Sequence, residues 1–81
     1  MEKAEIKRIA DFINDTWEGI CGGDEPTTMQ LQLTELYRII KKLMDATYQT
    51  KDQQLKVLLA SLEYKARRCK QYIEARTGVR N

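Results

Sequence analysis

Histidine is absent from this chain, and proline, tryptophan and phenylalanine occur only once each. Histidine is the commonest general base of enzymes and a frequent metal ligand. Its absence therefore argues against acid–base catalysis and metal binding of the usual kinds. The acidic residues are spread over polar positions, and none forms the Glu-x-x-His pattern of helical carboxylate metal sites. We therefore expect a protein that is not an enzyme, with no catalytic residue, no metal and no cofactor.

Cysteine is also scarce, since the chain contains only Cys21 and Cys69. Two cysteines without histidine cannot supply the four ligands of a zinc site within one chain. Cys69 falls on the apolar face of a helical pattern, which predicts a small buried core residue. Cys21 lies beside Gly22 at a predicted helix end, where a thiol can be exposed, and a redox or partner thiol is the alternative to a plain structural role there.

Long hydrophobic runs are missing as well. No apolar stretch approaches the roughly 20 residues that span a bilayer. The charged start of the chain has no apolar segment of the kind found in secretory signals. We expect one domain, residues 1–81, without a membrane partner and located in the cytoplasm, the alternative being a mature chain whose signal was removed.

The most regular pattern is a predicted helix over about 51–77. Thr50 and Gln53 have the spacing of a capping box at its start. Gly78 follows the last periodic residue, where a left-handed residue often ends a helix. At about 1.5 Å per residue the helix is roughly 40 Å long. Its apolar stripe consists of Leu55, Leu58, Leu59, Leu62, Ala66, Cys69 and Ile73.

Two further helices are predicted, over about 2–18 and about 27–47. Gly19 and then Gly22 and Gly23 should stop the first, and Pro26 suits the first turn of the second. The second is apolar over a wide arc, which is typical of a central helix. The first stripe consists of Ile6, Ile9, Ala10, Ile13, Trp17 and Ile20, and the second of Met29, Leu33, Leu36, Tyr37, Ile40, Leu43 and Met44.

These elements predict an all-α fold. The turn 48–51 is so short that the two long helices should form an antiparallel hairpin, against which the N-terminal helix packs. A compact globule of this length is only about 30 Å across, so the third helix should extend beyond it. We expect a three-helix bundle that is completed by homo-oligomerisation, as a dimer or a higher oligomer.

The triplet Trp17-Glu18-Gly19 resembles the W-x-G turn of small secreted helical-hairpin proteins. In that family the triplet lies between two long helices, whereas here it comes at the end of a short first helix. The family's trailing pattern, a tyrosine followed four residues later by an acidic residue, is missing after the third helix. We therefore assign no family and transfer no residue role.

Apolar residues beyond the core stripes favour a protein-interaction module: an adaptor, assembly factor or inhibitor that binds itself and a larger protein. Substitution of Val57 and Tyr64 by charged residues should abolish this association. The predicted protein-interface residues are Phe12, Trp17, Leu31, Ile39, Val57 and Tyr64.

The alternative function is binding of an anionic ligand, a nucleotide or a nucleic-acid backbone. Residues 1–30 carry a net charge of −4 and residues 31–81 a net charge of +6. Such asymmetry suggests an anionic partner or head-to-tail attraction between copies. Expected i, i+4 pairs, Glu63 with Arg67 and Lys41 with Asp45, would neutralise part of this charge. The predicted anion-binding residues are Arg38, Lys41, Lys42, Tyr64, Arg67, Arg68, Lys70 and Tyr72.

Overall fold

The structure, a computed structural model, describes residues 2–23 and 25–78, with the side chain at position 26 excepted. Within these ranges it contains three α-helices and no strand: α1 spans Lys3–Gly22, α2 spans Pro26–Gln49 and α3 spans Gln53–Thr77. The all-α class expected from the sequence is confirmed. No helix in the described part of the chain combines the length and apolar character that crossing a membrane requires.

The first helix is longer than predicted, because Gly19 does not stop it. A glycine inside a helix costs only about 1 kcal/mol, and the next residue, Ile20, is buried in the core. The helix ends instead at Gly23, which has a left-handed backbone (φ 82°) and donates its N–H to the carbonyl of Ile20 at 3.3 Å. A residue with a side chain is disfavoured in that conformation.

The start of α3 also differs from the capping box predicted at Thr50. The N-cap is Asp52, whose carboxylate accepts hydrogen bonds from the N–H groups of Gln54 and Leu55 at 2.9 and 3.3 Å. Thr50 instead ends α2, with its N–H donating to Ala46. A carboxylate carries the charge that the positive end of a helix favours, so Asp52 is the better cap. At the other end, Gly78 is left-handed (φ 73°), as predicted.

The core is formed by most of the predicted stripes. Among the residues whose burial is described, two buried ones lie outside these stripes: Ile39, which is 5% exposed, and Thr16, which is fully buried. Three stripe residues, Trp17, Met44 and Leu58, are exposed. The buried apolar residues are Ile6, Ile9, Ile13, Ile20, Met29, Leu33, Leu36, Ile39, Ile40, Leu43, Leu59, Leu62, Ala66, Cys69 and Ile73.

Contacts between side chains give the arrangement of the helices. The Tyr37 hydroxyl donates to Glu74, and the Arg67 guanidinium lies beside the Met44 sulfur, so both contacts join α2 to α3. The α1 helix packs more closely on α3 than on α2. The helix with the most extensive contacts is therefore α3, while α2 also packs against both of its neighbours, as its wide apolar arc predicted. The molecule measures 39 × 22 × 15 Å, a long and thin body.

Candidate interaction surface

Large apolar side chains remain exposed on all three helices. Four of the six predicted interface residues are among them, including Leu31 at 72%, Val57 at 70% and Tyr64 at 65% exposure. Phe12 is half-buried against the core, and Ile39 is buried within it, so the exposed surface does not include Ile39. The exposed large apolar residues are Trp17, Leu31, Met44, Tyr48, Val57, Leu58, Tyr64 and Tyr72.

One line of exposed residues runs along α3 on the side opposite its buried stripe. Its members alternate in steps of four and three residues, and all of them are exposed. We call this line the α3 outer stripe, and it consists of Val57, Ser61, Tyr64, Arg68, Gln71 and Ala75. Since α1 and α2 both pack on the other side of α3, the stripe has no partner within the described chain.

An aromatic cluster lies where α1 meets α3. The rings of Trp17 and Tyr72 are 5.2 Å apart in an edge-to-face arrangement, and the Arg68 guanidinium lies 5.6 Å from the Tyr72 ring centre. Such pairs contribute about 0.5–1.5 kcal/mol beyond the area they bury. Trp17 therefore anchors α1 on α3. The triplet Trp17-Glu18-Gly19 is part of a helix and not a turn, because Gly19 lies inside α1.

Two of the three basic residues clustered on α3 are bound to carboxylates. Arg67 pairs with Glu63 at 2.9 Å, as the sequence predicted, and it also approaches the Met44 sulfur at 3.0 Å. Lys70 pairs with Glu74 at 3.5 Å. Arg68 has no ion pair among the described residues and lies over Tyr72 instead. The remaining predicted anion-site residue on α3, Tyr64, is exposed on the outer stripe.

The basic residues of α2 line a groove between α1 and α2, with a volume of about 530 Å³. Lys42 pairs with Glu5 of α1 at 2.6 Å, and Arg38 pairs with Glu35 at 3.2 Å. The expected pair of Lys41 with Asp45 does not form among the described residues. The groove is lined by Glu5, Arg8, Ile9, Phe12, Glu35, Arg38, Ile39, Lys41, Lys42 and Asp45.

The predicted anion-binding residues therefore form two groups. Arg38, Lys41 and Lys42 lie along the α1–α2 groove, whereas the α3 residues lie outside it. Arg8 of α1 joins the groove, and sequence reasoning missed it. Arg8 lies in the first helix between acidic residues. The sequence pattern of that helix does not indicate that Arg8 approaches the basic residues of α2.

Three side chains among the described residues have pKa values displaced from their usual range. The hydrogen bond from Lys42 lowers the pKa of Glu5. Burial and the neighbouring Glu74 carboxylate raise the pKa of Tyr37. Burial raises the pKa of Cys69, which keeps its thiol protonated and therefore a poor nucleophile. Cys69 is buried, as predicted, and Cys21 is exposed.

Comparison with known proteins gives no relative for this chain, because no family model, no curated protein and no solved structure matches it. The exposed surface is therefore the basis on which a function can be inferred.

Proposed function

We propose that this protein is a small, non-enzymatic interaction module that works as a homo-oligomer and binds a larger protein as an adaptor, assembly factor or inhibitor. The observation that carries the proposal is the exposure of large apolar side chains such as Leu31, Val57 and Tyr64. Aromatic residues and arginine are enriched at protein interfaces, and Tyr64 adjoins Arg68 on the same face of α3.

The surface area of the chain supports association. Its accessible surface is 5798 Å². A compact monomer of 9.5 kDa is expected to expose about 5,000 Å². The excess is close to the roughly 800 Å² that each partner buries in an interface of standard size. An interface of standard size with one further copy of the chain would therefore bury this excess surface.

The proposal includes the architecture of the assembly. We infer that α2 and α3 form an antiparallel hairpin, on which α1 packs, and that a second copy completes the bundle. The Tyr37–Glu74 hydrogen bond and the Met44–Arg67 contact support the hairpin. The long, thin body supports the second copy, since α1 and α2 pack on one side of α3 and leave its outer side exposed.

Substitution of both Val57 and Tyr64 by glutamate tests this function. The parent should associate as its concentration rises, and the double variant should sediment as a monomer because two carboxylates desolvated in an apolar interface are costly. The matched control replaces exposed Thr27 and Gln30 by glutamate and should associate like the parent. Circular dichroism checks that helix content is preserved. A parent that sediments as a monomer at every concentration would rule out the homo-oligomer.

The second candidate function, anion binding, is favoured by one observation. Arg8 and Lys41 line the α1–α2 groove, and neither has a carboxylate within ion-pair distance among the described residues. A groove of this size lies in the range of small-molecule sites. We propose that, if the protein binds an anion such as a nucleotide or a nucleic-acid backbone, it does so here.

A labelled single-stranded oligonucleotide tests this candidate. Binding should weaken steeply as salt is raised, since it depends on counterion release. Replacing the groove residues Arg8 and Lys41 by alanine should weaken binding several-fold, whereas replacing Arg67 and Arg68 should change it less, because both lie outside the groove. The absence of salt-sensitive binding in the parent would remove this candidate.

A further inference from the structure

We propose that two copies of this chain associate through the α3 outer stripe, with the two α3 helices antiparallel and centred at the level of residue 66. Tyr64 of each subunit then meets Arg68 of the partner subunit. This inference rests on the proposed homo-oligomer and specifies its surface and its symmetry. The stripe is the one defined above: Val57, Ser61, Tyr64, Arg68, Gln71 and Ala75.

The spacing of the stripe is that of a helix–helix seam. Steps of four and three residues repeat every seven, which keeps six side chains aligned along about 27 Å of helix. The remaining exposed apolar residues do not form a line of this length on α1 or α2. Because α3 already contacts both other helices, pairing its outer face would place α3 at the centre of the dimer.

The stripe is complementary to itself when it is reversed about residue 66. The large side chain of Val57 then faces the small Ala75, and the polar Ser61 faces Gln71. The Tyr64 ring faces the guanidinium of Arg68, an arrangement that is attractive and is commonest for arginine. Each of these pairs forms twice, as the two-fold symmetry of a homodimer requires.

A parallel arrangement is excluded by the same residues. It would place each stripe residue against its own copy, so that Arg68 faced Arg68 across the seam. Two like charges in contact are repulsive, whereas reversal gives each arginine an aromatic ring. Arg68 lies over Tyr72 in its own chain at 5.6 Å, which holds the guanidinium against α3 with its outer side exposed.

The proposed dimer has a characteristic dependence on salt. The side chains of Lys65 and Arg68 from both copies lie near its centre, so salt should screen their repulsion and tighten the dimer. Head-to-tail association between the acidic α1 residues Asp11 and Asp15 and the basic α3 face would instead weaken with salt. The sign of the salt effect therefore separates the two modes of association.

Disulfide trapping tests the proposed register. In a Cys21→Ser background, which removes the exposed native thiol, the variant Val57→Cys plus Ala75→Cys should oxidise to a covalent dimer, because position 57 of one subunit faces position 75 of the other. These two positions are about 27 Å apart along one helix, so they cannot bridge within a chain. The controls are the single variants Val57→Cys and Ala75→Cys, which should remain monomeric on a non-reducing gel.

The outcomes are distinguishable. Covalent dimer in the double variant alone, together with a dimer that tightens between about 50 and about 500 mM salt, supports the proposal. Cross-linking of the single variants would show a parallel stripe and overturn it. A parent that dimerises by sedimentation but gives no cross-link in any variant would overturn the stripe and leave the homo-oligomer intact. A parent that never dimerises would overturn both.

Discussion

Among single residues, Tyr37 makes a contact between α2 and α3 that responds to pH. Its hydroxyl donates to the Glu74 carboxylate at 3.1 Å, and Lys70 lies 5.7 Å from its ring. Burial and Glu74 raise the pKa of Tyr37 above its usual value of 10.0. The folded state therefore holds this proton more tightly than the unfolded state does.

This shift predicts a loss of stability in alkali. Well below pH 10 Tyr37 is protonated in both states, and its contribution to the free energy of unfolding is fully present. As pH rises through the unfolded pKa and towards the folded one, the unfolded state loses the proton first, and stability falls. Urea unfolding at a series of pH values between about 8 and about 11 measures this slope.

The matched control is Tyr37→Phe, which lacks the titrating hydroxyl. Its stability should fall less steeply above pH 10 than that of the parent, and it should be less stable at neutral pH by about 1 kcal/mol because Glu74 loses a donor. Equal alkaline slopes in the two proteins would mean that the Tyr37 hydroxyl is not held by Glu74.

The burial of individual residues was only partly predictable from the sequence. Ile13, Leu36 and Leu59 follow the 3.6-residue period and are buried, as expected. Ile39 lies on the flank of the α2 stripe and is buried because α1 packs there, a tertiary contact that periodicity in one helix does not contain. Thr16 is buried for a similar reason, although its hydroxyl has no hydrogen-bond partner among the described residues.

At the scale of the helices, the end of α1 depends on two adjacent glycines with different roles. Gly22 is helical, and a Cβ added there would meet nothing within 4 Å. Gly23 has the same open space but a left-handed backbone, φ 82°. Only Gly23 therefore needs to be glycine.

Alanine at each position should give changes of opposite sign. Gly22→Ala should stabilise the protein by about 0.5–1 kcal/mol, because alanine favours the helix and restricts the unfolded chain. Gly23→Ala should destabilise it by about 1–2 kcal/mol, because a Cβ strains the left-handed conformation. Urea unfolding of both variants checks this, and equal effects would mean that α1 does not end at Gly23.

Helix ends were harder to predict than helices. Gly78 was identified correctly because a left-handed glycine after the last periodic residue is a strong signal. Gly19 was misjudged because glycine alone does not show whether the buried stripe continues through it. At the start of α3, Thr50 and Asp52 are both common N-cap residues, and sequence spacing favoured the wrong one.

At the scale of the whole molecule, the sequence predicted an elongated helical body that one chain covers poorly. The dimensions of 39 × 22 × 15 Å and the exposure of Val57 and Tyr64 agree with that picture. The sequence did not show that the basic residues of α2 lie along a groove with α1, since that groove depends on where α1 packs. It also did not single out the α3 outer stripe, whose polar members Ser61 and Gln71 conceal the seven-residue spacing.

The central claim is that a second copy of the chain covers the exposed face of α3, and a native mass spectrum of the parent protein tests it most directly. The account predicts a species of twice the 9.5 kDa chain mass with no additional ligand mass. The 9.5 kDa chain alone, over a concentration range that extends well above about 10 µM, would contradict it.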